Sequence, residues 1–278
     1  MRISRCLILL SVSVLGLCVP SLFAQNSIMR QQSGDSPLFG MRYLRPSFNW
    51  GADMSTFSGT FDLYCDVPVS SKISIVGDFP FSAFSFKWRD SESGVGNVYL
   101  GFRNKMGSPE RSFSSVELGM WLPTASEDEN DLNALSIYGN YHELQRFIPN
   151  YVTVASKGSY HYRGGQGQGG MISIEAGPEL LIPTDDNQDT QLFVFYGISG
   201  GYYTPDAVFL IGFEGLYLAT ADTDDWGLED KWAHYLVLGA HLVDTKVRPG
   251  LFYMLPFDKD TEEVIDGTFG ISFEVDIR

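Results

Sequence analysis

The last stretch of the chain, IDGTFGISFEVDI over residues 265–277, alternates without a break. Ile265, Gly267, Phe269, Ile271, Phe273, Val275 and Ile277 fall on one side, and Asp266, Thr268, Gly270, Ser272, Glu274 and Asp276 on the other. Successive side chains leave a strand on opposite faces, so this run has one greasy face and one polar face. The pattern recurs. Phe57, Gly59, Phe61, Leu63 and Cys65 oppose Ser58, Thr60, Asp62, Tyr64 and Asp66; Val98, Leu100 and Phe102 oppose Asn97, Tyr99, Gly101 and Arg103. Val116, Leu118, Met120 and Leu122 oppose Ser115, Glu117, Gly119 and Trp121. Ile172, Ile174, Ala176, Leu180 and Ile182 oppose Ser173, Glu175, Gly177 and Glu179, and Phe209, Ile211, Phe213 and Tyr217 oppose Leu210, Gly212, Glu214 and Leu216.

With less regular runs near 41–50, 71–79, 148–163, 190–203, 231–243 and 246–257, the chain reads as about a dozen strands separated by Gly, Pro, Asp and Asn clusters. Many of these runs reach about ten residues, the length of a tilted membrane-spanning strand and longer than the usual strand of a soluble sheet. None looks apolar on both faces. The expected fold is therefore all-β, an antiparallel up-and-down transmembrane β-barrel of about 12 strands, with the apolar faces toward lipid and the polar faces inward. Pairing the last strand with the first leaves no open edge. Trp50, Trp88, Trp121, Tyr160, Tyr162, Tyr202, Tyr203, Trp232 and Phe257 stand near run ends, where aromatic girdles are expected. The alternation is lost in DLNALSIYGNYHELQRFIP, residues 131–149, where Leu132, Leu135, Tyr138, Tyr141, Leu144 and Ile148 recur every three or four. That spacing predicts a short amphipathic helix around 140–147, a strand over 132–141 being the other reading.

The first residues carry Arg2 and Arg5, an apolar run from Cys6 to Val19, Pro20 and the small Ala24. This is a secretory signal pattern, expected to occupy 1–24 and to be cleaved, followed by a loose leader over 25–40 and the barrel over 41–278. Two of the three cysteines leave with the signal, so Cys65 has no partner for an internal disulfide. A formal net charge of −15, more negative once Arg2 and Arg5 are removed, argues against nucleic acid as a partner. The expected partners are outer-membrane lipid and the outer-membrane assembly machinery, and the expected location is the cell outer membrane.

GNVYLGFR and ELGMWLPT, within residues 94–124, resemble the outer-membrane family known from meta-pathway phenol degradation. The resemblance implies an outer-membrane barrel with a transport role and carries no catalytic residues. Here Thr124 is followed by Ala125 and an acidic run where a glycine is common in that family.

Motifs for other chemistry are weak. GISGG at 197–201 matches the nucleophile-elbow pattern around Ser199, but a strand is ending there and no strand-to-helix turn is expected. GQGQGG at 165–170 precedes a strand and reads as a hairpin loop. His142, His161, His234 and His241 have no zinc-site spacing, and the acidic runs at 126–131, 184–189, 222–230 and 258–263 lack calcium-loop chemistry, so no enzyme activity, metal or cofactor is expected.

The polar faces are the informative part. Asp62, Glu117, Glu175, Glu179, Glu214 and Glu274 are expected to line the lumen opposite Arg103, Lys157 and Arg163, with Asp66, Asp266 and Asp276 adding inward acids. An acidic lumen of this kind suits a passive channel or transporter for small solutes. Two alternatives remain, a sealed structural or interaction barrel of the outer membrane and a soluble exported β-barrel binding protein.

Overall fold

The computed structural model of the chain describes residues 36–49, 54–55, 57–87, 89–108, 111–165, 167–185, 188–220, 231–243 and 245–277. The expected signal and most of the expected leader lie outside these residues. The strands are β1 (Leu38–Phe48), β2 (Gly59–Pro68), β3 (Ile73–Phe86), β4 (Arg89–Val95), β5 (Val98–Ser108), β6 (Ser112–Leu122) and β7 (Tyr151–Arg163). They continue as β8 (Gly169–Pro183), β9 (Gln191–Tyr203), β10 (Ala207–Leu218), β11 (Trp232–Leu242), β12 (Val247–Pro256) and β13 (Ile265–Asp276). The first strand thus starts at Leu38, ahead of the boundary at 41 that the sequence suggested.

Every pairing is antiparallel. β1 pairs with β13 from Leu38↔Asp276 to Pro46↔Thr268, and β2 pairs with β3, so the sheet closes on itself. β3 is long enough to hold two partners along one edge, with Ile73–Asp78 on β5 and Phe81–Phe86 on β4. β4 and β5 are therefore successive halves of one stave, interrupted at Gly96 and Asn97. The barrel has twelve staves.

The two ends differ. Connections 69–72, 109–111, 164–168, 204–206 and 243–246 are short, and the chain enters β1 and leaves β13 at that end. At the other end the intervals between strands are longer, from 7 residues between β8 and β9 to 28 between β6 and β7, and only β3 and β4 follow one another closely. Outer-membrane barrels keep short turns in the periplasm and long loops outside. Gly165 and Gly167, with φ of +95° and +82°, allow the turn at 164–168.

From β6 to β12 no outward position carries Asp, Glu, Lys or Arg. Phe102, Leu118, Ile211, Leu251 and Phe273 all stand exposed on this outer wall. A continuous apolar belt of this kind has no place in water and fits a lipid environment. Tyr162, Tyr202, Trp232 and Phe257 are exposed as girdle residues would be, but Trp121 and Tyr203 turn inward and are buried; Trp50 and Trp88 lie outside the described residues.

Segment 123–150 departs most from the sequence reading. Helix α1 spans Asn130–Gly139 and a 3-10 helix follows at Tyr141–Arg146, within the expected 140–147, so helical structure begins earlier than the spacing suggested and the strand reading over 132–141 does not hold. The acidic residues 127–129 precede α1, where they complement its dipole. Asn140 stops it, with φ −133° and a backbone N–H that turns back to the Ser136 and Ile137 carbonyls. Glu143 is non-helical as well, at φ −134°.

This segment folds into the barrel. Leu132, Leu144 and Ile148 join Leu44, Phe48, Phe84, Leu181, Phe193, Leu216 and Tyr235 in an apolar core toward the long-loop end. Two glycines make room for it: a Cβ on Gly94 would meet the Glu129 carboxylate and Leu132, and one on Gly96 would lie 2.5 Å from the Arg146 carbonyl oxygen. The short helix α2 (Lys259–Glu262), capped by Asp258, lies between β12 and β13.

Leu118→Arg places a charge midway along the outer wall, where lipid gives it no partner. It is expected to lower the folding stability of the barrel in vesicles by about 2–4 kcal/mol. Val69→Arg in a short turn should change it by no more than about 0.5 kcal/mol. Denaturant titration read by the mobility shift of unheated protein on gels compares the two.

Candidate functional site

The interior between the two ends is polar, and most of its charges are paired. Arg146, from the inserted segment, is the hub. Its Nη1 donates to Asp62 Oδ1 at 2.6 Å and its Nη2 to Asp78 Oδ2 at 3.0 Å. Its Nε lies 2.9 Å from Glu143 Oε2, and the guanidinium sits 5.1 Å from the centre of the Trp121 ring. Arg42 on β1 donates to Asp62 Oδ2 at 2.7 Å and to Glu143 Oε2 at 2.8 Å. Three strands of the wall, β1, β2 and β3, and one turn of the insert thus share a single buried ion cluster.

The insert is also held by uncharged bonds. Asn97 donates its Nδ2 to the carbonyls of Gln145 and Ile148, and its backbone N–H goes to the Arg146 carbonyl. Its Oδ1 accepts from the Ala125 N–H, and Asn140 Nδ2 reaches Thr60 Oγ1 at 2.7 Å. The break between β4 and β5 is therefore where the insert is fastened to the wall, and the backbone groups freed there are satisfied by it.

A second cluster lies within the wall. Arg103 donates to Glu117 Oε2 from both Nε and Nη2, at 2.8 and 2.6 Å, and to Asp66 Oδ2 at 2.6 Å. Tyr99 completes the Glu117 carboxylate at 2.7 Å, and Lys105 lies 3.6 Å from Asp66. A third group lies on β7 and β8. Lys157 Nζ is 3.8 Å from Glu175, His161 Nδ1 shares a 2.7 Å bond with Ser173 Oγ, and its Nε2 is 3.8 Å from Glu175. Toward the short-turn end Tyr64 donates to Glu274, and Arg248 to Asp276.

Among the residues singled out from the sequence, Asp62, Glu117, Glu175, Glu179, Glu214, Glu274 and Arg103 are all buried at 5 % exposure or less. The fold brings Arg103 to Glu117, Lys157 to Glu175 and Asp62 to Arg146. Glu214 lies within electrostatic reach of Glu175. Arg163 stands apart, 5.5 Å from the Tyr203 ring centre. Asp266 does not point inward: the register of β1 and β13 shifts at that residue and leaves it exposed. The alternation missed Arg42, Asp78, Glu143 and Arg146. Asp78 lay in a run that looked shorter than β3 is, and the insert's charges lie where alternation had already failed.

Ser199 lies within β9, buried and cross-strand from Ser173 and Gly212, with no strand-to-helix turn around it. Ser173 and His161 form a nucleophile–base pair by distance, but Ser173 is fully buried. No acyl substrate reaches it in this conformation.

Between insert and wall lies a cavity of about 40 Å³, bordered by His142, Gln145, Trp121, Lys157, Glu179 and Phe195. Burial pushes the His142 imidazole down to about 4, reinforced by Arg42, Arg146 and Lys157 and opposed by Glu143. Burial alone would raise the Glu143 carboxyl, but Arg146 and Arg42 outweigh it and hold it well below its usual value.

Arg146→Ala removes the arginine that Asp62, Asp78 and Glu143 share. Breaking a buried pair in this way costs about 3–5 kcal/mol, charged here mainly to the seated insert. Protease cleavage within 123–150 should rise sharply while the barrel keeps its gel mobility. Arg146→Lys should rescue only partly, because one ammonium cannot serve three carboxylates in a fixed fork.

No family model matches the chain, and no curated protein matches it. Solved structures do. The COG4313 outer membrane channel from Pseudomonas putida F1 superposes with a TM-score of 0.60 at 14 % identity, over 88 % of this chain and 96 % of that one. The NanC porin superposes with a TM-score of 0.55 at 8 % identity, over 86 % of this chain and all of that one. At such identities the likeness is one of fold, and the fold is that of a twelve-stave outer-membrane β-barrel.

Proposed function

We propose that the chain is an outer-membrane channel for small solutes, gated by the inserted segment 123–150. The observation that carries this reading is the way the lumen is filled. The lumen is filled by one loop of the chain and not by the side chains of the wall alone, and that loop is held by an ion cluster, hydrogen bonds and an apolar contact at the long-loop end. The likeness in fold to a channel and a porin, and the resemblance of residues 94–124 to a family with a transport role, support it. Cleavage of residues 1–24 on export and insertion by the outer-membrane assembly machinery belong to the same proposal.

The second reading is a sealed barrel whose loops serve structure or interaction, and the density of buried ion pairs favours it. Planar-bilayer recordings separate the two. A gated channel gives low or intermittent conductance for the wild type and a clear increase for Arg146→Ala; a sealed barrel gives none in either. Once open, a lumen carrying Glu175 and Glu179 should favour cations, less so at high salt where screening shortens. The Glu175→Gln, Glu179→Gln double variant should then lose that preference in its reversal potential.

Acid should favour opening. His142 titrates near 6.5 when exposed and about 4 when seated, so its contribution to the seated state is full above 6.5 and is lost as pH falls toward 4. Glu143, held low when seated, adds its own loss only below about 4.5. Conductance should therefore rise between pH 6.5 and 4.5, and His142→Gln should flatten the rise in that window.

A further inference from the structure

The turn Tyr141–Arg146 stands between two unlike surfaces of the wall. On one side are Asp62 and Asp78, buried to 0 and 4 % exposure, with Arg42 bonded to Asp62. On the other side the turn packs against β10 and β11, where Leu144 shares an apolar core with Phe193, Phe195, Leu216 and Tyr235. His142 meets the Tyr235 ring edge-on, with centres 5.8 Å apart. Side chains alone fill a barrel of about eight strands; a wall of twelve staves encloses more, and this turn takes part of the excess.

Each surface is answered by a matching group on the turn. Arg146 serves both carboxylates, Glu143 accepts from Arg42 at 2.8 Å, and Leu144, 1 % exposed, fills the apolar side. Other charges nearby are engaged within the wall: Arg103 by Asp66 and Glu117, and Lys157 beside Glu175. With the turn out of its seat, Asp62 and Asp78 lose the guanidinium they share, Arg42 loses a carboxylate, and the apolar face opens to water. All three changes cost free energy until something covers the seat.

We propose that this seat is a ligand site occupied at rest by the insert, and that its ligand is a short peptide or acylated amino acid carrying a guanidinium, a carboxylate and an apolar group. The guanidinium takes the place of Arg146 between Asp62, Asp78 and the Trp121 ring. The carboxylate takes that of Glu143 on Arg42, and the apolar group lies where Leu144 lies. A guanidinium suits the seat better than an ammonium, because its planar fork reaches two carboxylates and stacks on a ring. The inference rests on the channel reading in one respect, that the insert leaves its seat, and adds what displaces it.

Benzoyl-arginine carries all three groups. Benzoyl-citrulline lacks the positive charge, benzoyl-arginine amide lacks the carboxylate, and acetyl-arginine lacks the ring. Each is titrated calorimetrically into the full mature barrel in detergent, wild type and Arg146→Ala, while protease cleavage within 123–150 is followed in parallel. Benzoyl-arginine should raise cleavage of the wild type saturably. It should bind Arg146→Ala at least about tenfold tighter than wild type, since a seat free less than about a tenth of the time weakens apparent affinity by that factor. The three analogues should each bind Arg146→Ala at least about tenfold more weakly than benzoyl-arginine does. Adding Asp78→Asn to that variant should weaken benzoyl-arginine and leave benzoyl-citrulline unchanged. Cleavage that stays low in Arg146→Ala overturns the gate and this inference together. Cleavage that rises there, while benzoyl-arginine binds no better than its analogues or leaves wild-type cleavage unmoved, overturns the ligand alone. Binding that Asp78→Asn does not weaken places the compound elsewhere and overturns it as well; if that double variant loses its folded gel mobility, the series of four compounds decides without it.

Discussion

A backbone that crosses hydrocarbon has no water to satisfy its N–H and C=O groups, so each must find a partner in the chain itself. Closure of β1 onto β13 meets that demand, and the rest of the molecule follows from it. Because the wall closes, side chains alternate between lipid and an enclosed interior. Because the interior is enclosed, most of its acids sit beside arginines, lysines or tyrosines. Arg103 between Asp66 and Glu117, and Arg146 between Asp62, Asp78 and Glu143, are the local answers to that constraint.

The two clusters answer it in different ways. Arg103 belongs to the wall, and all its partners lie on neighbouring or nearby strands, so the cluster is as permanent as the sheet. Arg146 belongs to the insert and its partners are shared between insert and wall, with Arg42 bridging the two. Such a pair is a weak source of net stability, since its attraction mostly offsets desolvation. Its effect is on position: the pairing fixes where Arg146 and Glu143 lie against Arg42, Asp62 and Asp78.

The wall was legible in the sequence because alternation is a local property. Val116, Leu118, Met120 and Leu122 face outward, Glu117 inward, and the same holds along β8 and β10. What alternation could not show is where a strand changes register, and Asp266 is the instance: one extra residue turned an inward acid outward. Nor could it show what fills the lumen. The helical spacing of 131–149 was visible, but its boundaries depended on Asn140 and Glu143 leaving helical geometry, and its destination depended on Arg146 meeting strands distant in sequence. Trp121 looked like a girdle residue for the same reason; it is the floor under that arginine.

The break at Gly96 and Asn97 has a consequence for the order in which the molecule assembles. Asn97 stands on the stave next to β3, and its side chain and backbone are used by Ala125, Gln145, Arg146 and Ile148, so that stave is complete only when the insert is in place. Arg42, which reaches into the same insert, stands on β1, the strand that makes the final seam with β13. The insert enters at the long-loop end of the barrel, so β1 and the broken stave reach their final partners only as it seats, and the last contacts of the wall and of its filling are made together.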